Sequence, residues 1–246
     1  MSVIYRKVAR DLFCNKTRTL LVILSTAVGI LALGMAVGGG DQLSQRLSSE
    51  WQSIRPAHIV LLLNGAVDAD TAAALARAPG VADIEPAINT QLRWKRPGEA
   101  EWRAAVLTAR QDYAHQQQSI VRRYAGDWPQ SQPRDAISVE RGTASFYHLA
   151  TGDEIVVEVN KAERRMRVAT VLHDLNTAPP LFTRTGQFFV TADKLQDLLG
   201  MEGYNTLLVR LPQYSREEAQ SAGARLKERV ERIGVTAGTP QLQDPR

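Results

Sequence analysis

The sequence predicts an α+β protein: one N-terminal transmembrane helix and stalk, then an extracytoplasmic domain of two β-α-β units split by an inserted β-rich subdomain. Three observations lead there. Leu20 to Gly40 is a run of 21 residues without a charge, basic residues crowd in front of it, and the chain beyond alternates strand-period with helix-period apolar patterns.

The charge-free run, Leu20-Leu-Val-Ile-Leu-Ser-Thr-Ala-Val-Gly-Ile-Leu-Ala-Leu-Gly-Met-Ala-Val-Gly-Gly-Gly40, is about 31 Å long as a helix, which matches the hydrocarbon thickness of a bilayer. A soluble core would have to surround every face of it. A cleavable signal peptide is the rival reading, but its apolar region is usually shorter, about 7 to 15 residues. We read residues 19–40 as an uncleaved span. Ser25 with Gly29, and Gly34 with Gly38, are small-residue pairs at helical spacing that would let a second helix approach closely.

Charge fixes the orientation of this span. Arg6, Lys7, Arg10, Lys16 and Arg18 stand against Asp11 alone, so the whole formal charge of +4 falls within residues 1–18 and the rest of the chain is balanced. Basic residues stay on the cytoplasmic side, which puts residues 1–18 inside and everything after Gly40 outside. Ile4, Val8 and Leu12 recur at i+4 in that segment, as in a helix lying on the membrane face. With no basic excess beyond it, a nucleic-acid partner is excluded. Cys14 is the one cysteine, so there is no intrachain disulfide, and it precedes the apolar run where a lipobox cysteine would follow one.

Beyond the span, Leu43, Leu47, Trp51 and Ile54 repeat at helical spacing up to Arg55-Pro56, which predicts a helical stalk over residues 41–56. His58 to Leu63 reads as a strand, 70–78 as an alanine-rich helix stopped by Pro79-Gly80, and 81–91 as extended chain. A hairpin follows about Pro97-Gly98. Residues 109–135 are polar with few long elements expected. Ala136 to Glu140 reads as a strand, Thr143 to Leu149 as a short helix, and 154–159 with 165–172 as a hairpin about Asn160-Lys161. The last third repeats the first unit: strand 188–190, helix 192–199, strand 205–211, and an amphipathic helix 216–233 before a polar tail. The two units, 57–108 and 188–240, are expected to pair into one sheet around the insertion 109–187.

No phosphate-loop, dinucleotide, HExxH or GxSxG motif is present, which argues against an enzyme and against a bound cofactor. His58, His115, His148 and His173 lack metal-ligand spacing, and His173-Asp174 and Gly152-Asp153-Glu154 fit turns and strand ends better than acid-base work. Trp94, Trp102, Trp128 and Tyr124 are read as core and hairpin packing rather than a binding surface.

Arg10-Asp-Leu-Phe-Cys-Asn-Lys-Thr-Arg-Thr-Leu-Leu-Val-Ile-Leu-Ser-Thr-Ala-Val-Gly-Ile30 resembles the first membrane helix of MacB/FtsX-type ABC-transporter permeases. Arg55-Pro-Ala-His-Ile59, Ala78-Pro-Gly-Val-Ala-Asp-Ile-Glu-Pro86 and Gly152-Asp-Glu-Ile-Val-Val157 are similar to later segments, in the same order. The resemblance implies an extracytoplasmic core split by an inserted subdomain, a bacterial cytoplasmic (inner) membrane location, and a non-enzymatic permease moved by ATP hydrolysis elsewhere. Its implied partners are a cytoplasmic ABC ATPase subunit, a second permease subunit in a homo- or heterodimer, membrane lipid and an extracytoplasmic adaptor. The chain reaches Arg246 before a second apolar run, so the resemblance is to the N-terminal part of such a permease. The alternatives are a single-pass anchored binding or sensor module, and a secreted hydrolase behind a signal peptide.

Overall fold

The structure, a computed structural model, describes residues 16–245, and for residues 18 and 33–47 the backbone alone. The expected amphipathic segment with Ile4, Val8 and Leu12, and Cys14, lie outside the described residues. The chain divides into two compact units, Met1–Glu50 and Trp51–Arg246.

Helix α1, Lys16–Ser53, contains the apolar run. Leu20, Val22, Leu24, Val28, Ile30 and Leu31 are each more than half exposed, so the helix is apolar on all sides over that stretch. Among the described residues no helix is long and apolar enough to cross a membrane. The expected span, 19–40, runs on into residues of which only the backbone is described.

After α1 come β1 (Ile59–Val67), α2 (Ala69–Ala76), β2 (Asp83–Lys95) and β3 (Arg103–Arg110). Asp68 caps α2 by accepting from the Thr71 N–H at 2.7 Å, one of the orphan donors of a helix start. The middle third supplies β4 (Arg122–Ala125), a 3-10 turn at Pro129–Ser131, β5 (Ala136–Glu140), α3 (Arg141–Phe146), β6 (Glu154–Val159) and β7 (Ala162–His173). The Asn160-Lys161 turn between β6 and β7 has both residues at positive φ, the backbone that matches the twist of a two-residue hairpin. Then follow α4 (Pro180–Thr183), β8 (Gly186–Thr191), α5 (Ala192–Leu199), β9 (Tyr204–Arg210), α6 (Arg216–Arg232), β10 (Thr236–Ala237) and β11 (Gln241–Leu242). Ser215 caps α6, with Glu217 and Glu218 in its first turn and Arg229 and Arg232 in its last, each charge matched to the helix dipole.

All eleven strands join one sheet. Strand β9 lies antiparallel between β1 and β2, so the first and last β-α-β units interleave. The strands of the middle third continue the same sheet rather than forming another: β8 pairs parallel with β3, β5 with β8 and β7, and β6 with β7. β6 also pairs back to β2, Trp94 opposite Val157, which closes β2-β3-β8-β5-β7-β6 into a ring. Closure removes strand edges that would otherwise be open to pairing. The polar tail forms β10 and β11 along β1. Two-residue strands carry no periodic signal, so only the free edge of β1 explains them.

Period-two alternation sorts side chains to two faces. Ile59, Leu61, Leu107, Phe188, Leu207 and Val209 face the main core, with Ala219, Ala222, Leu226 and Val230 of α6. Trp94 is fully buried there, edge-on to Tyr147 and Phe188 at 5.1 and 5.4 Å. Phe189, the next residue along β8, turns the other way and packs with Tyr113, Val121 and Leu172 in a small second cluster. Trp128 packs against that cluster. Trp102 lies under the Lys95 ammonium at 4.6 Å, and Tyr124 is exposed beneath Arg141.

Candidate functional site

Two features meet on this domain: a clamp on the chain that leaves α1, and a polar cavity beside it. Both are built from residues that alternate away from the main core.

The clamp begins where α1 runs out of internal partners for its last carbonyls. Ile54 is 1% exposed. Ile120 N–H donates to the Ile54 carbonyl at 2.8 Å and Ser119 N–H to the Arg55 carbonyl at 2.9 Å, while Ser119 Oγ accepts from Ala57 N–H at 3.1 Å. Arg55 adopts positive φ, which turns the chain out of the helix into β1. Arg122 donates to Ser53 Oγ, and Trp51 Nε1 donates to the Asp244 carbonyl at 3.2 Å. Residues 118–120 are fixed from behind by an ion pair between buried Arg110 and half-buried Glu85. Arg110 Nη1 donates to Glu85 Oε1 at 2.9 Å and to the Gln118 carbonyl at 3.1 Å, and Nη2 to the Ser119 carbonyl at 3.0 Å. The other Glu85 oxygen accepts from the N–H groups of Gln117 and Gln118. Gln116 bridges Tyr113 and Val121, and Gln118 Nε2 donates to the Leu208 carbonyl at 2.9 Å. A charge with its counter-ion beside it is the kind that an interior tolerates best.

The cavity has a volume of about 460 Å³. A directional chain of hydrogen bonds crosses four strands of its floor. Gln187 Nε2 donates to Thr108 Oγ1 at 2.7 Å, Thr108 Oγ1 to Asn89 Oδ1 at 2.6 Å, and Asn89 Nδ2 to Thr206 Oγ1 at 3.0 Å. Thr206 Oγ1 then donates to Asn205 Oδ1 at 3.1 Å. Arg110 and Ser119 of the clamp form part of the wall.

Of the expected site residues, the structure brings Trp51 and Ile54 into the clamp. Ser25 Oγ donates to the Val22 carbonyl of its own helix, and nothing lies within 4 Å of where a Gly29 side chain would begin. The side chains of Leu43 and Leu47, and the Gly34 and Gly38 faces, lie outside the described residues. Arg110, Glu85 and the Gln116–Ser119 segment were not expected. Their one sequence signal is charge at Glu85 and Arg110, each at a position where its strand alternates away from the main core.

The histidines are structural polar groups in four settings. His58 is buried, and its Nδ1 accepts from Leu211 N–H at 3.1 Å beside Tyr214. Burial, and then the Arg210 guanidinium, hold its pKa below the ordinary value. His173 Nδ1 lies 3.2 Å from buried Glu140, whose other oxygen caps α3. His115 pairs with Asp112 on the surface, and His148 is exposed at positive φ. Among the described residues no cluster of histidine, cysteine or acidic groups is arranged to hold a metal ion.

No protein-family model and no curated protein matches the chain. Solved structures do. The chain is similar to the extracellular domain of the noncanonic ABC-type transporter YknZ from Gram-positive bacteria, at 14% identity and a TM-score of 0.48, over 76% of this chain and 99% of that one. It is similar to the periplasmic region of MacB from Actinobacillus actinomycetemcomitans, at 11% identity and 0.46, over 74% and 88%. It is also similar to a domain of a protein assigned as a permease from Porphyromonas gingivalis, at 12% identity and 0.45, over 78% and 90%. The structures it is similar to are thus extracellular, periplasmic and permease domains.

Proposed function

We propose that this chain is a non-enzymatic permease component of an ABC transporter. Residues 1–18 lie in the cytoplasm, 19–40 span the bacterial inner membrane, 41–56 form a stalk, and the domain of 57–108 and 188–240 with its insertion 109–187 stands outside. ATP hydrolysis on a separate cytoplasmic subunit tilts or rotates α1, and the clamp at Ile54 and Arg55 passes that movement to β3 through Ser119 and Arg110. A second permease subunit, packing through the Ser25/Gly29 and Gly34/Gly38 pairs, and an extracytoplasmic adaptor complete the assembly. The observation that carries this reading is that a helix exposing apolar side chains on every side ends in a buried, hydrogen-bonded clamp. The ordered segments that resemble MacB/FtsX-type permeases support it.

Thiol labelling in intact cells tests the topology. With Cys14 replaced by serine, a cysteine at Asp68, exposed in the structure, is expected to react with a membrane-impermeant maleimide, while native Cys14 in the parent is expected to stay protected. Reaction at Cys14 with protection at position 68 overturns the proposal. The second reading, an anchored binding or sensor module, is favoured by the polar cavity, which a purely mechanical domain does not need.

A further inference from the structure

Strand β4 ends the sheet. It pairs with β7 and with no other described strand, and all four of its residues, Arg122–Ala125, are exposed. A strand bonded on one side turns half of its N–H and C=O groups outward, and no backbone group outside β7 bonds those of β4 among the described residues. The ladder shifts register between Arg123 and Ala125, so Tyr124 stands as an extra residue that bends the edge. A short, bulged and charged edge guards a sheet against pairing with its own kind. Here the guard has one sign, since Arg122 and Arg123 are the charged residues of the strand.

Beside that edge lies an open groove of about 580 Å³, with buried Ala144, Leu149 and Val171 and exposed Tyr124 and Arg141 in its lining. The Arg141 guanidinium sits over the Tyr124 ring at 5.7 Å. The next residue of α3 meets α4, where Pro180 Cδ is 3.6 Å from the point at which a Gly142 side chain would begin. Tyr124 on β4 and Leu181 and Phe182 on α4 are 67%, 63% and 79% exposed, the most exposed large apolar side chains described beyond α1. Apolar groups gathered around one groove mark a surface that a partner covers. The charge around it is positive. Among the described residues Arg122, Arg123 and Arg141 have no acidic partner: Arg122 donates to Ser53 Oγ, Arg123 lies over Trp128 and Arg141 over Tyr124. Glu140, the nearest carboxylate in sequence to Arg141, is buried and bound to the start of α3 and to His173. The groove lining holds no acidic residue.

We propose that β4 and its groove dock an extended, acidic segment of a partner protein, which adds a strand to the sheet and lays an apolar side chain in the groove. Strand addition satisfies the outward backbone groups of β4 whatever the partner's sequence, while the groove and the arginines select among partners. Carboxylates are the selected charge, since a guanidinium binds them through paired N–H donors. At about 3.4 Å per residue β4 is about 14 Å long, so about four residues of the partner pair with it. The β4 edge of a second copy is excluded as the occupant, because it would set arginine against arginine. This inference goes beyond the transport reading and stands whether or not the chain transports anything.

The test is calorimetric titration of the full chain in detergent micelles with N-acetyl-Glu-Leu-Glu-Leu-Glu amide, alongside the same peptide with lysine in place of each glutamate. Saturable binding of the glutamate peptide is expected, and none of the lysine peptide. Two further forms of the glutamate peptide carry backbone N-methyl groups, one form on the glutamates and the other on the leucines. A strand bonds its neighbour through alternate N–H groups, so one form is expected to lose binding and the other to keep it. Arg123→Glu and Arg141→Glu, both at exposed positions, are each expected to weaken binding about tenfold or more, because each sets like charges together. Melting curves identify a variant that fails to fold, and the other variant then decides. No saturable binding of the glutamate peptide up to about 1 mM overturns the proposal. Equal binding of the lysine peptide, equal behaviour of the two methylated forms, or unchanged affinity in a folded variant overturns it as well. Self-association of the full chain that Arg123→Glu abolishes would give the edge to a second copy, and that too overturns it.

Discussion

The backbone N–H of Ile120 donates to the carbonyl of Ile54 at 2.8 Å, across a sequence separation that no helix or hairpin spans. With the Ser119–Arg55 bond beside it, it ties the exit of α1 to a loop anchored on β3. If the clamp is rigid, the amides of Ser119 and Ile120 exchange with solvent only when the whole domain unfolds. Hydrogen-exchange mass spectrometry on peptides covering 117–122 is expected to show protection equal to that of β9, and exchange within minutes would show a loose joint.

Ser119→Ala removes the acceptor of the buried Ala57 N–H and leaves that donor unsatisfied. The expected loss is about 1–3 kcal/mol in urea unfolding, the usual penalty for an orphaned buried group. A change within about 0.5 kcal/mol, typical of free surface positions, would place Ser119 outside the clamp.

Arg110→Met leaves the half-buried Glu85 without its cation and frees the carbonyls of Gln118 and Ser119. Breaking a buried pair from one side costs about 3–5 kcal/mol, whereas Arg110→Met combined with Glu85→Leu restores part of it. The checking measurement is a double-mutant cycle on unfolding free energy. Additive losses would show that the two side chains do not act as a pair.

His58 gives the domain a pH dependence of definite sign. Its pKa is lowered in the folded state by burial and by Arg210, so the unfolded chain takes up the proton first as pH falls. The stability it contributes is therefore full above about pH 6.5 and is lost as pH falls below that value toward the folded pKa. Unfolding free energies at pH 7.5 and 5.5 are expected to differ more in the parent than in His58→Gln. An identical pH difference in the two proteins would rule out His58 as the source.

Much of the fold could be read from the chain because its signals are local. Arg216–Arg232 announces itself by its amphipathic spacing, and the β6–β7 hairpin by alternation around Asn160-Lys161. The interleaving of β9 between β1 and β2 is a long-range pairing that no window of sequence contains. The ring closure of β6 on β2 is another, since it rests on Trp94 meeting Val157. The candidate site was legible only at Trp51 and Ile54, whose spacing continues the helix. Gln116, Gln118 and Ser119 read as loop because their partners, Arg110 and Glu85, reach them through the fold.

The central claim is that motion of α1 reaches the outer domain through an unbroken helix and its clamp. Replacing Gln45-Arg46 with Gly-Pro interrupts α1 ahead of the clamp, where proline costs about 3 kcal/mol or more in a helix interior. The measurement is cargo export by the complete transporter, with its remaining spans and ATPase supplied, alongside ATP hydrolysis and the melting transition of the outer domain. The account predicts that export is lost while hydrolysis and melting are retained. Unchanged export in the Gly-Pro variant would contradict it.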